Sequence, residues 1–114
     1  MKEIKNFQEL EDALKSSESN VVVIDCYTKW CGPCKRLSPK LEELQKRYTE
    51  EGKNVEIYKL DIEIEDLSMW VSMKEIQSIP TIFVVKDKKD TAKIEGADLE
   101  AIIKAVEEQF VVNN

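Results

Sequence analysis

Residues 21–36 read VVVIDCYTKWCGPCKR. The first half is β-branched and apolar at consecutive positions as far as Ile24, the pattern of a strand covered on both faces. The second half opens a helix, because Leu37, Leu41, Leu44 and Tyr48 follow at helical spacing. Between the two lie Cys31 and Cys34, separated by Gly32 and Pro33. A buried strand carrying an acid (Asp25) and running into a helix that opens on a C-x-x-C pair predicts an α/β fold. It also places the chemistry at the strand–helix junction.

Working outward, residues 3–5 form a short candidate strand. Asn6 is positioned to cap a helix, with Glu9 as the return half of a capping box and Phe7, Leu10 and Leu14 as the apolar face. The first strand covers residues 21–28, and the helix after the cysteines covers about 34–51, stopped by Gly52. Residues 55–61, VEIYKLD, read as a second central strand, and a helix over roughly 65–75 follows. Residues 81–86 and 91–95 form a hairpin across DKKD, a turn without the usual glycine. Asp98 caps a last helix with the stripe Leu99, Ile102, Ile103, Val106 and Phe110. The order βαβαβαββα predicts one domain over residues 1–114, a mixed sheet with helices on both faces.

Composition narrows the function. The net charge is −6 and the pI near 4.8, with no long basic run, which argues against nucleic acid as a partner. The longest apolar run of the central strand, residues 21–24, is too short to span a membrane. MKEIKNFQEL has no apolar core of a secretory signal, so an intracellular protein is expected. A chain of 114 residues buries a hydrophobic core without help from disulfides.

Three cysteines, Cys26, Cys31 and Cys34, fall within nine positions. A structural staple is a poor reading, since a disulfide stabilises by closing a long loop and this one is short. A metal site within one chain lacks ligands: there is no histidine, and Cys26 is the third and last thiol. A cluster shared between two chains is the remaining metal reading. A redox pair fits the geometry. Residues three apart on a helix have Cβ atoms about 5–6 Å apart, and disulfide Cα separations run about 4.4–6.8 Å. The free N–H groups and dipole of a helix start stabilise a thiolate at Cys31. Pro33 suits the first turn, and Gly32 leaves space for another chain. Cys31 is expected to be the exposed nucleophile and Cys34 the buried resolving thiol. Cys26 points to the opposite strand face from Asp25 and reads as a small buried hydrophobe.

The stretch Trp30–Lys35, WCGPCK, resembles the active site of the thioredoxin family. Other matches run along the chain. Asp25 stands where the family carries a buried acid, and Lys59 in YKLD where many members place a lysine beside it. Pro39 falls where the family's second helix is kinked, Ile79-Pro80-Thr81 resembles the cis-proline motif, and Gly96 precedes the last helix. The resemblance implies a five-stranded mixed sheet with about four helices. It implies a dithiol–disulfide oxidoreductase in which Cys31 attacks a target disulfide and Asp25 takes the Cys34 proton, directly or through a water. Gly32, Pro33 and Lys59 would tune the pair. Trp30, Ile79, Pro80, Gly96 and Ala97 would contact disulfide-containing protein substrates. No bound cofactor or metal is implied. The implied electron donor is a thioredoxin reductase, an NADPH-dependent flavoprotein, and the implied state a cytoplasmic monomer. There are departures: Cys26 and Tyr27 replace the common Phe and Trp, and Ser78 a common glycine. Trp70 is either core or a partner contact. Two other readings remain, a glutathione-using glutaredoxin-like enzyme, whose CPYC, TVP and Gly-Gly features are absent, and a non-enzymatic adaptor on the same fold.

Overall fold

Strand β2 (Val21–Tyr27) is buried along its first six residues because both its faces are covered. Its alternation sorts side chains into two cores. Val21 and Val23 join Leu37, Leu41, Leu44 and Tyr48 of helix α2 (Gly32–Glu50) and Ile102 and Val106 of helix α4 (Leu99–Glu107). Val22, Ile24 and Cys26 face the other way. There they meet Leu10 and Ala13 of helix α1 (Phe7–Ser16) and Trp70 of helix α3 (Ser68–Met73). The computed structural model describes residues 1–110. The end of the expected 1–114 domain, residues 111–114, lies outside the described residues.

Strands β1 (Lys2–Ile4), β3 (Val55–Asp61), β4 (Thr81–Lys86) and β5 (Lys89–Glu95) complete the sheet among the described residues. The order is β1-β3-β2-β4-β5. β3 runs parallel to β1 and β2, whereas β4 is antiparallel to both β2 and β5. The predicted mixed α/β architecture is therefore the observed one. Asp25 lies across from Lys59 on β3 and Ile82 on β4. Among the described residues no helix is long and apolar enough to cross a membrane.

Several boundaries differ from the sequence reading, each for a local reason. β1 starts one residue earlier than residue 3 and pairs with Tyr58–Leu60. β2 ends at Tyr27, so Thr28 belongs to the loop. α2 starts at Gly32, two residues before 34, because Cys31 itself caps it. Glu65–Leu67 is a 3-10 turn ahead of α3, which ends at Met73. Asn6 caps α1 through the Glu9 N–H at 2.8 Å, but the Glu9 carboxylate accepts from the Lys5 N–H, one residue earlier than a capping box. Phe7 is exposed, and Ala13 takes the expected third core position on α1. Phe110 is likewise partly exposed, while Ala105 is buried. Trp70 is core: it packs edge-on against Phe83 with ring centroids 5.8 Å apart.

β5 begins at Lys89, two residues before 91, which leaves Asp87 and Lys88 as a two-residue turn. Both have left-handed backbones, with φ of 52° and 65°, where hairpins usually place glycine or asparagine. The buried Ser17 at the end of α1 holds this turn in place. Its carbonyl accepts the Asp87 N–H and its hydroxyl accepts the Lys88 N–H, each at 2.8 Å. Since the restraint is on the backbone, it survives a side-chain change. Lys88→Gly removes the left-handed penalty of about 1–2 kcal/mol, partly offset by the glycine entropy. The expected result in urea unfolding is a gain of about 0.5–1 kcal/mol.

Candidate active site

The junction after β2 builds the site. The Cys31 backbone is extended (φ −82°, ψ 117°) and turns into the helix at Gly32. Its sulfur accepts the backbone N–H of Cys34 at 3.2 Å, so the helix N-terminus is capped by Sγ. Cys31 and Cys34 form a disulfide, with Cα atoms 5.3 Å apart. Pro33 occupies the first turn, and Pro39 lies inside α2, which runs on to Glu50. A Cβ on Gly32 would meet only the distal end of the Arg36 side chain, at 3.4 Å. The chain's own packing therefore leaves the space over Gly32 free.

The structure corrects one expectation. Cys31 was expected to be exposed, yet in this disulfide-bonded form it is 5% exposed and Cys34 is 3% exposed. The sulfur of Cys31 sits 3.9 Å from the Ile79 carbonyl oxygen, so the loop before β4 closes over one side of it. The Ile79–Pro80 peptide bond is cis. Pro80 is buried, and its carbonyl accepts the Gly96 N–H at 2.8 Å. Gly96 needs its glycine, since its φ is +92°. The Ile79 carbonyl thus lies against the disulfide, Pro80, the next residue, is tied to Gly96, and Ala97 is exposed beside Gly96. Trp30 is 69% exposed, and its indole N–H points to the Glu63 carboxylate at 3.4 Å. Thr28, Trp30, Ile62 and Ile79 line a shallow groove of about 230 Å³.

Behind the disulfide lies a cleft of about 380 Å³, bordered by Asp25, Thr28, Cys34, Lys35 and Lys59. Asp25 and Cys34 thus border one space. Asp25 is 2% exposed, and its Oδ1 has no protein hydrogen-bond partner. Burial disfavours the charged carboxylate and raises its pKa to about 7, and the Lys59 charge opposes part of that rise. Lys59 influences Asp25 from the next strand, but no contact within 4 Å joins their charged ends among the described residues. Its ammonium lies instead over the Tyr27 ring, 5.7 Å from the centroid. Tyr27 in turn donates its hydroxyl proton to Glu3. Sequence reasoning did not find Thr28, Glu3 or Glu63 at this site, since each reaches it through the loop or from a different strand. Cys26 is fully buried on the opposite face, and burial together with the Asp25 charge pushes its thiol up. Among the described residues no three His, Cys, Asp or Glu side chains converge as a metal site.

Comparison with known proteins agrees with this geometry. The family model Thioredoxin matches residues 2–108. The chain is 32% identical over 104 residues to thioredoxin-1 of Saccharomyces cerevisiae, covering 91% of this chain and 93% of that one. It is 37% identical over 94 residues to the chloroplastic thioredoxin F of Oryza sativa subsp. japonica, covering 82% of this chain and 48% of the relative, about half its length. A solved complex of ferredoxin:thioredoxin reductase and thioredoxin f2 contains a chain that matches 96% of this one and is itself covered to 94%, at 29% identity with a TM-score of 0.83.

Two consequences can be measured. Asp25 ionises near its ordinary value of 3.8 when unfolded and near 7 when folded. Between those values the native state keeps a proton that the unfolded state has lost, so stability falls as pH rises from about 4 to about 7 and is flat above. The span corresponds to roughly 4 kcal/mol. In urea unfolding, Asp25→Asn should lose this slope and be more stable than the wild type at pH 8 by roughly 1–4 kcal/mol. Cys26→Ala should lose about 1 kcal/mol of stability through the small cavity it leaves, with disulfide-reductase activity retained.

Proposed function

Since this chain belongs to the thioredoxin family and is a dithiol–disulfide oxidoreductase with Cys31 and Cys34 as its redox pair, we propose a reaction course in which Asp25 is the proton acceptor. The Cys31 thiolate attacks one sulfur of a target disulfide. A Cys31–target bond forms, and the target's other sulfur leaves as a thiolate. The proton of Cys34 passes to Asp25 across the shared cleft. Cys34 then attacks Cys31 Sγ, the target's second sulfur leaves as a thiolate, and the Cys31–Cys34 disulfide remains. The target gains two electrons and the pair loses two. The observation that carries this reading is the disulfide at the start of α2 with a buried carboxyl behind Cys34 in one cleft.

The roles of the surrounding residues follow from position. Gly32 and Pro33 set the backbone between the sulfurs, and Lys59 biases the charge on Asp25. The backbone at Ile79 and Pro80 lies beside Cys31 and suits a target strand held in β-augmentation. Trp30, Gly96 and Ala97 extend that surface. A thioredoxin reductase returns the two electrons, in keeping with the family and with the solved reductase complex of a similar thioredoxin. An NADPH-dependent flavoprotein is the type proposed. The chain acts as one domain over residues 1–114, as a monomer, and the cytoplasm is the compartment proposed, because a three-cysteine cluster suits a reducing environment.

Reduction of insulin disulfides with dithiothreitol as donor tests the activity. The expected result is turnover without glutathione; turnover that requires glutathione would favour the glutaredoxin-like reading, and none the adaptor. Cys34→Ser should accumulate mixed disulfides, and Cys31→Ser should form none. Faster alkylation of Cys34 than of Cys31 in the reduced protein at neutral pH would reverse the assignment.

A further inference from the structure

Three buried side-chain polar atoms have no protein hydrogen-bond partner among the described residues: Asp25 Oδ1, Thr28 Oγ1 and the Tyr48 hydroxyl. Tyr48 lies elsewhere, on α2 under Arg47 and Lys53. The other two belong to residues that border the same cleft, together with Cys34. Both residues are 2% exposed. Thr28 also borders the outer groove with Trp30 and Ile79, so it forms the wall between the cleft and the target side. A threonine with a purely local role would bond its hydroxyl to the backbone of its turn. Here only the Thr28 carbonyl is used, accepting the Cys31 N–H at 3.3 Å.

A buried hydroxyl and a buried carboxyl oxygen without partners carry a desolvation penalty that a shared water removes. The cleft of about 380 Å³ is bordered by several charged and polar side chains and is far larger than the roughly 30 Å³ that one water occupies in the liquid. We propose that Thr28 is a positioning residue for proton transfer in this site: its hydroxyl, together with Asp25 Oδ1, holds a water in the cleft that relays the proton from Cys34 to Asp25. The inference rests on Asp25 being the proton acceptor. In the relay the Cys34 S–H bond breaks and the water takes that proton. The water gives another of its protons to the Asp25 carboxylate. The Cys34 thiolate then attacks Cys31 Sγ and the target thiolate leaves. Water is neither gained nor lost, and electrons move only between the sulfurs.

The charged and titratable groups bordering the cleft come from every element around it. They are Glu3 on β1, Lys59 on β3, Tyr27 on β2, Lys29 in the loop and Lys35 on α2. None of them changes in a Thr28 variant, so a changed pH profile reports the hydroxyl.

The experiment mixes the reduced protein with a disulfide-bonded peptide, quenches with acid, and counts mixed disulfide against oxidised protein by mass across pH 5–9. Thr28→Val keeps the shape and removes the hydroxyl. It should slow the resolving step about 3- to 10-fold, a part of what general acid–base catalysis supplies. It should also move the pH midpoint of that step upward, because the water that donates to the carboxylate is held less well and the charged form loses part of that stabilisation. Thr28→Ser should stay close to the wild type. In an Asp25→Asn background Thr28→Val should have no further effect. An unchanged rate and midpoint in Thr28→Val would overturn the proposal, and so would the same slowing in the Asp25→Asn background, which would place the hydroxyl's role on the target or the fold. Thr28→Ala gives the same reading if the valine variant does not fold. If Asp25→Asn alone leaves the resolving step unchanged, the acceptor reading fails and this one with it. If Asp25→Asn slows it while Thr28→Val and Thr28→Ala do not, only the Thr28 assignment fails.

Discussion

A carboxyl group held out of water on the inner face of β2 is the constraint around which this molecule is arranged. The parity that turns Val21 and Val23 toward α2 turns Asp25 the same way. That face has to be apolar for α2 and α4 to pack on it, and Asp25 stands where the packing ends and the cleft begins. Burial raises its pKa to about 7, so its proton is poised for exchange near neutral pH. Lys59, at the matching position of β3, moderates that effect from a distance without neutralising the group in a contact pair. Stability alone would favour a neutral side chain at this position, because burial disfavours the charged carboxylate.

The three cysteines show how environment separates identical side chains. Cys26 and Asp25 are sequence neighbours on opposite faces of β2. Cys26 is enclosed in the core with Leu10, Leu60 and Phe83, and its thiol is pushed up by burial. Such a thiol is a poor nucleophile. Cys31 and Cys34 sit a few residues later at the open end of a helix, where backbone N–H groups and the helix dipole favour a thiolate. The Cys34 N–H bonded to Cys31 Sγ is the visible part of that stabilisation.

Much of this was legible in the chain itself. Consecutive apolar residues in 21–24 identified the central strand, and the spacing of Leu37, Leu41, Leu44 and Tyr48 identified α2. Asn6 and Asp98 cap the helices they were assigned to, at 2.8 and 3.0 Å. The C-x-x-C pair at the strand–helix junction is read from spacing alone, whereas Asp25 is marked by its place in a buried strand and by the family resemblance. What was not legible depended on tertiary partners. The left-handed turn at Asp87 and Lys88 is held by Ser17, about 70 residues earlier. Phe7 fits the helical stripe but falls at the rim, where Ala13 is inside. The burial of Cys31 comes from the Ile79 loop, 48 residues away. Thr28 has no pattern to mark it, because its neighbours in the cleft come from other elements.

The central claim concerns one ionisation, and it can be watched directly. The side-chain carboxyl carbon of Asp25, labelled with carbon-13, is followed by NMR from pH 3 to pH 9 in the oxidised protein, with Asp25→Asn to assign the resonance. The account predicts a midpoint near pH 7. A midpoint near 4, the ordinary range of an aspartate, would show that the carboxyl is solvated or fully paired when folded, and would contradict it.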